Sequence, residues 1–269
     1  MGVLNVSPDS FSGDGLSEPA EAADRARRLV AAGADIIDVG GESTRPGSSA
    51  ISIDEELRRV IPVIERLAGA IPVPLSVDAY KHEVALQALD AGAHMINDIW
   101  GLQKGPELAM LAAERGVPIV LMSNQRGRTG SDIMSAVMSD LRRAIERALS
   151  SGVPCENIIV DPGIGFGKTV EHNLALLRHL RELTSLGRPV LVGASRKSFI
   201  GKLTGVEDPS DRLEGSLAAA VLAVAGGARI VRVHDVWETT RAVAVATAVV
   251  QGCAQPVGGD RADRTAAGR

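Results

Sequence analysis

The chain has 269 residues, a formal net charge of -4 and a pI near 5.8; 45% of its residues are hydrophobic but only 2% are aromatic. That length suits one barrel-sized domain of about 250 residues, and no Pro/Ser-rich linker divides it, so the core must be built from Ala, Val, Leu and Ile. The acidic balance argues against a nucleic-acid partner, no apolar stretch of about 18 residues offers a membrane span, and the start lacks the basic and apolar regions of a signal peptide; a cytoplasmic protein is expected.

A short apolar run at 2–5 begins almost at Met1, with no segment beneath it to close a barrel's base, and a poorly anchored first strand is expected. Helix-like segments closed by Gly33, Gly69, Gly92, Gly116, Gly152, Gly187 and Gly227 then alternate with apolar runs at 35–45, 74–78, 94–98, 118–124, 157–161, 189–197 and 229–235. Glycine takes the left-handed C-cap conformation without a Cβ clash, so each marks a helix end. Ser52 and Glu55 have capping-box spacing ahead of a stripe of Ile53, Leu57, Val60, Ile64 and Leu67. Further stripes, read as core faces, are Met138, Leu141, Ile145 and Leu149, then Leu176, Leu180 and Leu183, then Leu213, Leu217 and Val224, the last entered through Ser210 and Asp211 as caps. Residues 252–269 lack periodicity and are expected to fray as a tail. Helix-to-strand junctions repeated in this way predict an α/β fold, a (β/α)8 TIM barrel in a single domain over 1–251.

The runs end on polar residues, where barrel enzymes place their chemistry. Asp78, Asn97 and Asp161 each close a run and converge on one mouth, where their side chains match the donor and acceptor edge of an amino-lactam heterocycle, a pterin or a purine. Individually each could instead cap the following helix. The stretch 161–169, DPGIGFGKT, is neither a Walker loop, because Pro162 stands where the first glycine belongs, nor a Rossmann fingerprint. It is a glycine-rich loop that either only turns or admits a flat ligand, with Phe166 as a stacking surface. Lys197, Arg232 and His234 follow the last two strands, where such barrels bind phosphate, and SRKS at 195–198 opens a helix whose free N–H groups favour an anion. Lys197 alone could be a surface cation and His234 a packed core histidine. His82, His94, His172 and His179 show no metal spacing, and Cys155 and Cys253 stand apart without a CxxC pair, which implies two unpaired thiols.

Seven ordered motifs now resemble the dihydropteroate synthases: MGVLNVSPDSF at 1–11, GGESTRPG at 40–47, SVDAYK at 76–81, HMINDIWG at 94–101, DPGIGFGK at 161–168, SRKSFIG at 195–201 and RVHDV at 232–236. The resemblance implies condensation of 6-hydroxymethyl-7,8-dihydropterin diphosphate with p-aminobenzoate, Mg2+ as cofactor and a homodimer. It implies that Asp78, Asn97, Asp161 and Lys197 hold the pterin, and that Asn5, Arg232 and His234 bind diphosphate, with Asn5 also at the metal. Thr44, Arg45 and Pro46 fall on a second loop, and Phe166 and Ser198 on the p-aminobenzoate pocket; Asp78, Lys197, Arg232 and His234 form the catalytic set. The chain departs from the family pattern at Gly13-Asp14, where the loop acid is displaced by one, at Ser123, where Met122 is usually followed by His, and in its lead-in before Met1. Two alternatives are a methyltetrahydrofolate methyltransferase-like domain, which would not need the cations at 197, 232 and 234, and a non-catalytic pterin-binding paralogue. A generic phosphate-binding barrel would leave Asp78, Asn97 and Asp161 unexplained.

Overall fold

Parallel strands alternate with helices along the whole chain in a computed structural model that describes residues 1–6, 19–43, 50–127 and 132–252. In order they are β1 (Gly2–Asn5), α1 (Pro19–Ala31), β2 (Ile37–Gly40), α2 (Ile53–Leu67), β3 (Leu75–Asp78), α3 (His82–Asp90), β4 (Met95–Asp98) and α4 (Glu107–Arg115). There follow β5 (Ile119–Met122), α5 (Ile133–Ser150), β6 (Ile158–Asp161), α6 (Val170–Arg178), β7 (Leu191–Val192), α7 (Ser198–Thr204), α8 (Leu213–Ala225), β8 (Ile230–Val231) and α9 (Val236–Gln251). Strands β1 to β6 pair in sequence order and β7 pairs with β8. Parallel bridges Val160–Val190 and Gly2–Val233 join the two sheets into a closed ring, the (β/α)8 barrel expected from the sequence.

The first strand is held on both sides, contrary to expectation. Gly2 N–H donates to Ile36 O at 2.8 Å, Val3 N–H to Val233 O at 3.0 Å, and the Met1 ammonium to Val231 O at 3.0 Å. Being the strand that closes the ring, β1 draws its anchorage from two neighbours.

Successive strand residues point to opposite faces. Leu4, Ile37, Val39, Leu75, Val77, Ile96, Ile119, Leu121 and Ile158 pack outward under the helices. Their alternates face the bore, where Met1, Met95, Val120, Ile159 and Leu191 form an apolar plug with Ile36 and Ile230. Two residues on along their own strands from Ile36, Met95, Ile159 and Ile230 come Asp38, Asn97, Asp161 and Arg232, with Asp78 in register with Asn97, so the period of two that builds the barrel also sets polar side chains above apolar ones.

All seven helix-closing glycines have positive φ, from 65° at Gly116 to 111° at Gly92. Ser52 caps α2, its Oγ accepting from Glu55 N–H at 3.2 Å, but the Glu55 carboxylate pairs with Arg58 and Arg59 instead of completing the box. Three core faces differ from expectation; in α2 Ile53 is exposed, while Val60, Ile64 and Leu67 are buried. In α5 the buried side is Ile133, Val137, Asp140, Leu141, Ala144 and Ala148, while Leu149 is exposed. In α8 it is Ser216, Ala219, Ala220 and Ala223, with Leu213, Leu217 and Val224 on its flanks, because close approach to neighbouring elements selects small residues. Ser210 and Asp211 belong to a separate 3-10 turn capped by Asp208, and the residue preceding α8 is Arg212. The tail at 253–269, with Cys253, lies outside the described residues.

Candidate active site

At the carboxyl end of the bore, strand register sets Asn5, Gly40, Asp78 and Asn97 side by side along the rims of β1 to β4. Below them the fully buried Asp38 and the rim residue Asp78 share one guanidinium: Arg232 Nε donates to Asp38 Oδ2 at 2.6 Å and Nη2 to Asp78 Oδ2 at 2.8 Å. Asn97 Nδ2 donates to the same Asp38 oxygen at 3.0 Å, while Asp38 Oδ1 is buried without a hydrogen-bond partner among the described residues. Arg232 thus ties three strands together, and its charge is already countered by two carboxylates.

Asp161, at the end of β6, is buried and accepts Gly163 N–H through Oδ1 at 2.7 Å; its Oδ2 makes no hydrogen bond among the described residues. The glycine-rich loop then carries Phe166 back over the mouth. Lys197 Nζ lies 4.2 Å from the Phe166 ring centroid and the Arg126 guanidinium 4.9 Å from it, so this ring is a cation-flanked surface. Lys197 is the residue preceding α7, with Ser198 exposed in the first turn. His234 is buried, its Nδ1 3.0 Å from Ser195 Oγ, and Asn5 is half-buried at the end of β1.

Burial governs the charges here. Desolvation pushes the Asp78 carboxyl up to about 7, with the Arg232 charge opposing and Asp38 adding to the shift. It raises Asp161 to about 6 against the Gly163 hydrogen bond and the nearby cations, and lowers the Lys197 ammonium to about 8, with Arg232 pushing the same way. Carboxyls and an amine that change charge near neutrality, in one mouth, mark a site built for a polar ligand that completes their pairing.

The structure therefore brings Asp78, Asn97, Asp161, Phe166, Lys197 and Arg232 together, with Asn5, Ser198 and His234 on the same end of the barrel. Thr44, Arg45 and Pro46 lie outside the described residues, as does the Gly13-Asp14 loop. Sequence reasoning missed Asp38 and Arg126. Asp38 left a signal, a carboxylate amid the apolar run IIDVG, whereas Arg126 in a polar loop left none.

The pterin binding enzyme family matches residues 1–234. The dihydropteroate synthase of Bacillus subtilis is 49% identical over 242 residues, 90% of this chain and 85% of that protein. The chain belongs to the pterin binding enzyme family, among the dihydropteroate synthases. The Escherichia coli dihydropteroate synthase is 46% identical over 258 residues, 93% of this chain and 91% of that protein. The Xanthomonas albilineans dihydropteroate synthase, solved with 4-aminobenzoic acid, superposes with a TM-score of 0.87 at 45% identity, covering 93% of this chain and 92% of that one. The same enzyme solved with 7,8-dihydropteroate gives 0.84 at 43% identity, covering 93% and 92%. These relatives answer the methyltransferase alternative: each is a dihydropteroate synthase matched over 90% or more of this chain.

Proposed function

We propose that the chain condenses 6-hydroxymethyl-7,8-dihydropterin diphosphate with p-aminobenzoate, giving 7,8-dihydropteroate and pyrophosphate. The observation that carries this reading is the polar layer of Asp78, Asn97 and Asp161, capped by Phe166 and Lys197, in a chain of this family. A pterin offers an amino group, ring N–H groups and a lactam oxygen along one edge. Asp161 Oδ2 and the Asp78 carboxylate accept from the former, while Asn97 and Lys197 complete the edge. Arg232 and His234, at the same end of the barrel, take the diphosphate, Phe166 and Ser198 line the p-aminobenzoate pocket, and Thr44, Arg45 and Pro46 bind substrate.

The amine needs no general base, since an arylamine is neutral at pH 7 and its lone pair is free. The carbon–oxygen bond to diphosphate breaks with its electron pair leaving on oxygen, the amine nitrogen bonds to the exposed methylene carbon, and the ammonium proton is lost. Asp161 and Asp78 stabilise the positive charge that spreads over the pterin as diphosphate departs, and Arg232, held by Asp38 and Asp78, offers its remaining N–H donors to the leaving group. A second arrangement, pterin binding without turnover, is separated by one assay: pyrophosphate release that depends on p-aminobenzoate supports the synthase, and tight pterin binding without release refutes it.

Among the described residues no group of three or more His, Cys, Asp and Glu side chains could hold a metal ion. Mg2+ would arrive with the diphosphate, because this ion keeps its waters and binds through few protein oxygens plus phosphate; Asn5, half-buried at the end of β1, would offer it an amide oxygen. When bound, the ion neutralises charge on the leaving diphosphate.

We assign the protein to the cytoplasm as a homodimer. Among the described residues no helix is long and apolar enough to cross a membrane. Helix α9 leaves Trp237, Val245, Val249 and Val250 exposed, with Leu222 on neighbouring α8, an apolar surface suited to a second copy. Sedimentation at micromolar concentration should give twice the chain mass, and Val245→Asp should halve it.

A further inference from the structure

Helix α5 turns a carboxylate inward. Asp140 stands among Val137, Leu141 and Ala144 with its side chain 6% exposed, a placement that is unfavourable unless every oxygen is paired. Two of its partners lie just beyond β5 and one on α5 itself: Oδ2 accepts from Ser123 Oγ at 3.0 Å and from Gln125 Nε2 at 2.5 Å, while Oδ1 pairs with Arg143 Nη2 at 2.5 Å. Ser123 and Gln125 are themselves buried.

The segment that Asp140 grips is bonded to the loop bearing Phe166. Ser123 O accepts from Lys168 Nζ at 2.9 Å, Lys168 Nζ also reaches Phe166 O at 3.2 Å, and Gln125 N–H donates to Phe166 O at 3.3 Å. Two glycines let the loops interlock. At Gly163 (φ 69°) a Cβ would collide with Ser123 O, and at Gly167 (φ 67°) with the Gln125 and Arg126 backbone. One residue on from Gln125, Arg126 sits on the Phe166 ring. Asn97 is held by the strand ladder, whereas Asp161 meets this segment through its backbone alone, its carbonyl accepting from Ser123 N–H at 2.9 Å.

We infer that Asp140 is a positioning residue for p-aminobenzoate: through Ser123 and Gln125 it fixes the Arg126–Phe166 pair, and so the aromatic wall against which the arylamine lies. The inference rests on Phe166 lining the p-aminobenzoate pocket. It explains how the chain accommodates Ser123, since a short hydroxyl and Gln125 together fill the acceptor that α5 presents.

Steady-state kinetics with both substrates tests it. Asp140→Asn keeps the volume but sets an amide donor against donors already present, so the KM for p-aminobenzoate should rise about tenfold, the loss of roughly 1.4 kcal/mol expected of a buried charge-assisted contact. The KM for pterin diphosphate and kcat should stay within about twofold, a split that general destabilisation does not produce. Gln125→Met, which removes the same bond from the loop side, should behave alike and serves if Asp140→Asn does not fold. Arg143→Met, which leaves both loop bonds intact, should change neither KM. Equal rises in both KM values, or a loss of active fraction alone, would overturn the inference. Phe166→Ala separates the two layers: an unchanged p-aminobenzoate KM there refutes the pocket assignment, whereas a rise there without one in Asp140→Asn and Gln125→Met refutes only the role of Asp140.

Discussion

Asp161 shows how one side chain is prepared for a ligand. Gly163 N–H takes one oxygen and leaves the other without a hydrogen bond inside a buried mouth, and desolvation raises the carboxyl to about 6. Asp161→Asn presents a donor where an acceptor is needed, and the loss of a charge-assisted bond is worth about 1.5–3 kcal/mol. Calorimetry with a pterin should therefore show affinity about ten- to a hundredfold weaker at pH 8. In the unmodified protein the affinity should fall as the pH drops through about 6, where Asp161 gains its proton, and Asp161→Asn should lack that limb. Pterin affinity unchanged by the substitution would remove Asp161 from the site. Asp161 was legible in the sequence because it closes an apolar run. Asp38 was not singled out, because it stands one strand step below the rim and a search for strand ends passes over it, although a lone carboxylate inside IIDVG betrays an inward-facing partner for a cation.

At the scale of elements, strands and their order were readable because each is a short apolar run fenced by a helix-closing glycine. Helix faces were readable only where large apolar residues do the packing: Leu176, Leu180 and Leu183 are fully buried, but in α8 serine and alanines take the inner face and periodicity of leucine points to its flanks. Contacts between loops left no sequence pattern at all. The clearest is the clamp beside β3, where Lys81 Nζ lies 2.6 Å from both Glu42 Oε2 and the fully buried Glu56 Oε2 and 2.8 Å from Ile51 O. Tyr80 OH donates to Glu42 and Ile51 N–H to Glu42 Oε2, so one ammonium ties residues on both sides of 44–49 to the barrel. Lys81→Met leaves two carboxylates uncompensated and should destabilise the fold by about 3–5 kcal/mol in a urea titration near neutral pH. Burial already raises the Glu56 carboxyl, so the deficit should shrink as the pH falls and Glu56 takes up a proton, and Glu56→Gln in the same chain should recover part of it. A deficit independent of pH would assign the loss to packing of the lysine stem.

For the whole molecule, the layered bore sets stability against binding. Burial raises Asp78 to about 7 and Asp161 to about 6 in the bore, and Asp98, which faces outward from β4 onto the Trp100 and Leu102 N–H groups, to about 6, whereas in the unfolded chain such carboxyls titrate near 4. Between those values the folded protein holds protons that the unfolded chain has released, so stability is greatest below the unfolded value and is lost as the pH rises through about 6 to 7. Lys197 works in a higher window: lowered to about 8, it sheds its proton before the unfolded chain does, and stability recovers from about 8 towards the ordinary lysine range. The free enzyme should accordingly melt at a higher temperature near pH 5 than near pH 7.5 as these carboxyls titrate. A pterin diphosphate donates hydrogen bonds to carboxylates that burial strips of water in its absence, so its stabilising effect should be larger at pH 7.5 than at pH 5, and Asp161→Asn should flatten both trends. Melting temperatures measured with and without the pterin across that range test this, and a profile that rises with pH in the free enzyme would mean that the acids of the bore are paired before any ligand arrives.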